Sequence, residues 1–322
     1  MPQLAEHDNG EYYLTDLVEM ALGEGRLVAT QSASFEEAAG INDRIQLAEA
    51  EAILRQRVLR ELMLSGVTIE DPATTYVEAD VRVGQDTILR HGTTLRGATV
   101  IGERCEIGPD SVIQESVIAD DCRVYGSWLD GAILRVGAHV GPMSRLRGGA
   151  DIGPGAFIGS FAEVKNSTLG EHVQMHHFSY LGDATVGART NIGAGAITCN
   201  FTSNGEKHRT TIGEGVFVGS DTMLIAPITL GDGARTGAGS VVTRDVAPGA
   251  VAVGMPARAR HHTQPTSTLS EQGSVAENNA ETSTPTDVEK DSDHAAVGQS
   301  ADANTTAPGG GASPGARRDV RE

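Results

Sequence analysis

The chain has 322 residues, 40 of them glycine, with 4% aromatic residues and a formal net charge of −18. So much glycine with so few aromatics disfavours a large aromatic core and favours repetitive architecture, and the charge disfavours broad affinity for nucleic acid or an anionic membrane. Cys105, Cys122 and Cys199 form neither a disulfide framework nor a zinc motif; with no apolar run long enough to cross a membrane and no leader-like pattern in MPQLAEHDNGEYY, a cytoplasmic protein is expected.

Residues 1–41 read as a piece of an α/β unit. Leu14, Leu17, Val18, Ala21 and Leu22 make a helical stripe that ends at Gly23 and Gly25. RLVAT then predicts a strand, and Ser34-Phe35-Glu36-Glu37 fits a capping box opening a short helix that Gly40 closes. So short a segment buries little core on its own. Residues 42–66 predict one long helical arm from Asn42 to Ser65, rich in good helix formers. Ile45, Ala48, Ala52, Leu59, Leu62 and Met63 form its apolar face, and Gly66 is placed to terminate it in the left-handed conformation.

Residues 67–260 carry a different beat. Val83, Leu89, Leu95, Ile101, Ile107 and Ile113 are six residues apart, and the beat resumes at Ile152, Ile158 and Val164. It continues through Leu169, Met175 and Leu181, then Val186, Ile192 and Thr198, and returns at Ile212, Val218, Leu224, Leu230, Thr236 and Val242. Period six suits no α-helix. It suits a coil of three short strands, each turning one aliphatic side chain inward, with glycine easing the corners. The expected fold is mainly β, a parallel β-helix of hexapeptide repeats with about eighteen residues per triangular turn. Residues 261–322 are poor in large apolar residues and, from His262 onward, hold ten acids and four bases; a disordered tail is expected.

Between Thr198 and Ile212 the beat is interrupted by CNFTSNGEKHRT. Loops thrown from rigid scaffolds tend to carry function, and Lys207, His208 and Arg209 favour an anionic ligand. Upstream, Arg145 and Arg147 lie in SRLRGGA and Lys165 in FAEVKNS. One turn separates Arg147 from Lys165, so they stack at about 5 Å by strand spacing, an unfavourable arrangement without an anion between them. His177 is a candidate general base, Tyr180, Asn191 and Asn200 add polar groups, and Gly193-Ala194-Gly195 leaves bare backbone for a long thin ligand.

The segments GINDRIQLA, GVTIEDPATT, RLRGGA, AEVKNST, HFSYLGDA, NIGAGAITCN, VGSDTMLIAP and GAGSVVTRDV occur here in order. Over roughly Asn9 to Pro256 they resemble the acetyltransferase half of the bifunctional N-acetylglucosamine-1-phosphate uridyltransferase and glucosamine-1-phosphate N-acetyltransferase, the GlmU family. The resemblance implies a left-handed β-helix, against the usual crossover hand, and a homotrimer with sites between subunits. It implies N-acetylation of glucosamine 1-phosphate by acetyl-CoA, a step toward UDP-N-acetylglucosamine and the cell wall. His177 is then the catalytic base; Arg147, Lys165, Tyr180, Asn191 and Lys207 bind the sugar phosphate; Ala194, Asn200, Ser220 and Ala238 contact acetyl-CoA.

Two departures from the family follow. Phe201 stands where the family usually has Tyr, which removes a hydroxyl. The uridyltransferase domain is nearly all missing, so residues 1–41 read as its remnant. Asn42 matches a metal-contacting Asn of the family, but Mg²⁺ is expected only with a complete uridyltransferase domain. This chain alone is therefore not expected to make UDP-N-acetylglucosamine. Two alternatives stand beside this reading: a trimeric scaffold that docks a separately encoded uridyltransferase half, and a zinc hydratase using His139, His172 and His177.

Overall fold

A computed structural model of the chain describes residue 4 and residues 6–260; the expected disordered tail lies outside the described residues. Three helices precede the β-structure: α1 (Asp16–Gly23), α2 (Phe35–Ala38) and α3 (Arg44–Leu64). The Ser34 hydroxyl accepts the Glu37 N–H at 3.2 Å, as its capping role requires. The Asp43 carboxylate caps α3 by accepting from Ile45 and Gln46 at 2.9 and 2.8 Å. Gly66, at φ +101°, closes α3 as expected, with Val67 N–H bonded to Leu62 carbonyl at 3.0 Å.

One local expectation fails. RLVAT forms no strand: its residues are exposed and no neighbouring strand is there to pair with them. The apolar face of α3 is only partly covered. Leu59 is buried and Val58 and Leu62 pack on the core, whereas Ile45 and Met63 are exposed. The helix packs against the strands Thr68–Ile69 and Tyr76–Val77, with the Arg55 guanidinium 4.3 Å from the Tyr76 ring.

From Thr68 the chain winds as a parallel β-helix with three sheets of 12, 10 and 9 strands. Up to Val241–Val242 every third strand joins the same sheet, so each turn of chain contributes one strand to each of three faces; Val251–Val253 and Arg258–Arg260 then close the first sheet, the last of them antiparallel. The first face contains Gln174–Met175 and Asn191–Ile192, the second Ala162–Lys165 and Ser179–Gly182, and the third Thr168–Leu169 and Ala184–Val186. The six-residue beat is the inward column: Leu89, Leu95, Ile107, Ile113, Ile152, Ile158, Val164, Met175, Val218 and Leu230 are 0% exposed. Each such side chain removed from water contributes roughly 1.5–3 kcal/mol before conformational entropy is counted.

The gap in the beat between Ile113 and Ile152 is filled. Ile118, Val124, Leu129, Leu134, Val140 and Leu146 point inward there, buried like the rest. Some of these steps are five residues long, and each short step has a left-handed residue two positions after the inward one: Glu115, Gly126 and Gly131, and later Asn166 and Asp183. Left-handed residues also sit in the six-residue steps, as at Asp110, Asp121 and Phe161, so it is the missing corner residue and not the left-handed backbone alone that shortens these sides. The turns around the candidate site are consequently seventeen residues long, as in Ala162 opposite Ser179 and Gln174 opposite Asn191. The interrupting loop expands one turn, which places Asn191 opposite Phe217.

Candidate functional site

Two corners of the prism carry the candidate residues. At the corner after the first face, strand register extends from Gln174–Asn191–Phe217–Arg235. Three residues further on, the same register aligns His177, Ala194, Ser220 and Ala238 on successive turns. Backbone bonds hold the column: Gly195 N–H to Phe178 carbonyl, Asp221 N–H to Ala194 carbonyl and Gly239 N–H to Ser220 carbonyl, at 2.6, 2.7 and 2.8 Å. The residues before the last three are Gly193, Gly219 and Gly237. A Cβ on Gly193 would lie 2.6 Å from the Gly219 backbone, and one on Gly219 would lie 2.6 Å from the Thr236 carbonyl oxygen. Successive turns approach so closely at Gly193 and Gly219 that only glycine fits there, and the small residues Ala194, Ser220 and Ala238 follow on the corner that runs away from His177. His177 itself is exposed, and its neighbour His176 joins a row of rings with Phe157, His139 and Tyr125.

The other corner lies between the second and third faces. Leu146 pairs with Val164, so Arg147 and Lys165 stack one eighteen-residue turn apart, as their spacing predicts. They are not a bare pair of cations. The Arg147 guanidinium donates to Glu163 at 2.8 Å, and Glu163 lies opposite Tyr180 in the next turn. Lys165 lies opposite Gly182. A Cβ on Gly182 would collide with the Tyr180 hydroxyl and lie 2.8 Å from the Asn200 side-chain nitrogen. Tyr180 and Asn200 therefore converge on the space that Gly182 leaves open.

Asp183 completes this corner. Its carboxylate accepts from the side-chain amides of Asn166 and Asn200, one turn before and one turn after. Partial burial pushes the Asp183 carboxyl up, but the two amides, with Lys207 and Lys165 nearby, outweigh it and hold the group below the usual carboxylate range. The interrupting loop closes on itself: Phe201 bridges Lys207, and His208 N–H donates to Asn200 carbonyl at 2.9 Å. This brings Lys207 to the same corner as Lys165.

The structure thus gathers Arg147, Lys165, Tyr180, Asn200 and Lys207 at one corner and His177, Ala194, Ser220 and Ala238 at the other. The strand Ser179–Gly182 joins the two. Asn200 belongs with the cationic group rather than with the Ala194 column. Asn191 sits on the first face, beside Gln174 and Phe217 and away from both Arg147 and Lys165. Sequence reasoning misses Glu163, Asn166 and Asp183. The signal for the last two is the repeated seventeen-residue interval from Asn166 to Asp183 to Asn200.

Cys199 is half-buried, and burial pushes its thiol up, which disfavours a thiolate nucleophile. His139 stacks on Phe157 at 4.3 Å. Among the described residues of this chain no three His, Cys, Asp or Glu side chains converge on a metal position. Of the candidate residues His177, Ser220 and Ala238 are exposed, Arg147, Lys165, Tyr180 and Asn191 are half-buried and Asn200 is buried. Cavities of about 500 Å³ and about 420 Å³ lie elsewhere, the first lined by α3 residues such as Ile53 and Arg57, the second by Arg244 and Arg258.

Comparison with known proteins agrees with the repeat. The bacterial transferase hexapeptide family (six repeats) matches residues 209–244. The bifunctional protein GlmU of Stutzerimonas stutzeri is 48% identical over 247 residues, covering 76% of this chain and 54% of that protein. GlmU of Corynebacterium glutamicum is 46% identical over 251 residues, covering 77% and 51%. Among solved structures, UDP-N-acetylglucosamine acyltransferase from Campylobacter jejuni is 17% identical with a TM-score of 0.47, covering 60% of this chain and 74% of that one. The chain spans about half the length of the curated relatives it matches. It is a hexapeptide-repeat β-helix protein, homologous over about three quarters of its length to about half of the bifunctional protein GlmU.

Proposed function

We propose that this chain transfers an acetyl group from acetyl-CoA to the amine of glucosamine 1-phosphate, in the pathway to UDP-N-acetylglucosamine. The observation that carries the reading is the column His177, Ala194, Ser220, Ala238: a candidate base at the head of a row of small residues, each preceded by a glycine with no room for a Cβ. Such a row suits the extended acetyl donor, whose acyl end would meet His177. The identity to the GlmU proteins supports the choice of substrate.

In this mechanism His177 accepts a proton from the amine as nitrogen attacks the thioester carbonyl, and the thiol of CoA leaves. A positioned base contributes about 10²–10⁴ in rate. Arg147, Lys165 and Lys207 bind the phosphate through charge-assisted hydrogen bonds, with Tyr180 and Asn200 directed at the sugar. Asn191 joins this group if the site forms between chains, since it lies on a different face from Arg147 and Lys165; we infer a homotrimer on that ground and from the family resemblance. The uridyltransferase step is assigned to no residue of this chain. α1 buries none of its residues, and residues 1–41 are assigned no role in acetyl transfer. Residues 42–66 then form the arm and residues 67–260 the acetyltransferase domain.

The test is release of CoA thiol from acetyl-CoA by purified protein, with and without glucosamine 1-phosphate, beside His177→Ala. Release that requires the sugar phosphate and falls by about 10² or more in the variant supports the reading. No release from the folded protein overturns it.

A further inference from the structure

We propose that Asp183 is a positioning residue, which clasps both ends of the 200–209 loop and thereby sets Asn200 and Lys207 to receive an anionic sugar. The inference rests on the acetyl-transfer reading for the identity of that sugar and on geometry for the rest. Four bonds converge on Asp183. Its carboxylate holds the Asn200 amide where the loop departs and the Asn166 amide one turn earlier. Its carbonyl oxygen accepts the N–H of Thr210 at 3.2 Å, where the loop returns to the prism, and its own N–H donates to Lys165 carbonyl at 3.1 Å. One residue therefore ties the strand bearing Lys165 to both ends of the loop bearing Lys207.

The side-chain geometry also fixes which way Asn200 faces. Its nitrogen donates to Asp183 and lies over Gly182 beside the Tyr180 hydroxyl. Its amide oxygen is then the atom left over for an external donor such as a sugar hydroxyl. Asp183 holds φ +51°, a conformation that Asn and Gly tolerate well, so two informative variants retain the corner. In Asp183→Asn one carboxylate oxygen becomes an N–H₂ group facing another N–H₂ group, so one of the two flanking amides loses its acceptor. In Asp183→Gly both amides lose it.

Position and charge predict opposite results. A carboxylate beside Lys165 and Lys207 opposes anion binding, so its loss through charge alone would tighten the site. Loss of the clasp loosens it. We expect Asp183→Asn to raise KM for glucosamine 1-phosphate by about tenfold, with Asp183→Gly at least as severe and KM for acetyl-CoA changed less than twofold. Amide hydrogen exchange in residues 200–209 is expected to speed up by about tenfold, while exchange in the strands of the prism is unchanged. A KM for the sugar phosphate that falls or stays constant overturns the proposal. So does a raised KM without faster loop exchange, because Asp183 would then act on the ligand directly. The exchange measurement needs no substrate: if the wild-type protein fails to acetylate glucosamine 1-phosphate, faster loop exchange in both variants still upholds the clasp and unchanged exchange still overturns it.

Discussion

The hydroxyl of Tyr180 occupies the space that a side chain at Gly182 would need, with the Asn200 amide closing the same space from the next turn. Gly182 does not adopt a left-handed backbone, so an added methyl group leaves the strand intact and acts on those two side chains. Overpacking of this kind costs about 1–3 kcal/mol. Gly182→Ala is expected to raise KM for glucosamine 1-phosphate about tenfold, equivalent to about 1.4 kcal/mol, and to leave the β-rich circular dichroism spectrum unchanged. Steady-state kinetics with each substrate varied in turn, beside a thermal melt, checks both halves.

The thiols bear on how activity is assayed. Cys105 and Cys122 are 1% and 0% exposed, and the half-buried Cys199 has its thiol pushed up. Thiolate is the reactive form. The folded protein at pH 7.5 is expected to react with a chromogenic disulfide at no more than one slow thiol, and at all three in concentrated urea. A native protein that reacts rapidly at two or more sites would contradict the burial of the Cys105–Cys122 pair.

His139 gives a pH prediction away from the site. Burial and the neighbouring Arg123 hold its pKa below the ordinary histidine value. The unfolded chain therefore binds a proton more readily, and stability falls as pH drops through the unfolded value of about 6.5. Phenylalanine preserves the stack on Phe157, whose ring lies 7° from parallel, and cannot titrate. The loss of Tm between pH 8 and pH 5.5 is expected to be about 2 °C or more smaller in His139→Phe than in the parent. Equal losses in both proteins would remove His139 as the cause.

Period six reveals the inward column because a side of fixed length forces a fixed interval, so Leu89 through Ile113 and Ile152 through Val164 are legible without coordinates. Ile118, Leu129 and Leu134 are not, because the sides from Ile113, Val124 and Leu129 are one residue shorter and break the interval. The stacking of Arg147 on Lys165 is legible for the same reason of spacing, but Glu163 is not, since a carboxylate alternating with an inward valine looks like any solvated strand residue. Asn166 and Asp183 escape notice because both sit in turns, where Asn and Asp are ordinary. The strand at RLVAT fails because β-propensity depends on a neighbouring strand, and none is there.

The depressed pKa of Asp183 makes the corner acid-sensitive, and the sign follows from linkage. A carboxylate whose folded pKa lies below its unfolded value adds stability that is complete above the unfolded pKa, about 3.9 for aspartate. That stability is lost as pH falls through the folded value. The amides of Asn166 and Asn200 and the ammonium groups of Lys165 and Lys207 favour the ionised form, and burial opposes it. Asp183→Asn keeps the left-handed corner but lacks the charge, so its stability deficit relative to the parent is expected to be largest near pH 6–7 and to shrink below pH 4. Urea denaturation of both proteins from pH 7 to pH 3 measures that gap. A gap that stays constant across the range would mean that the Asp183 carboxylate contributes shape alone, and that the two lysines are balanced by other groups.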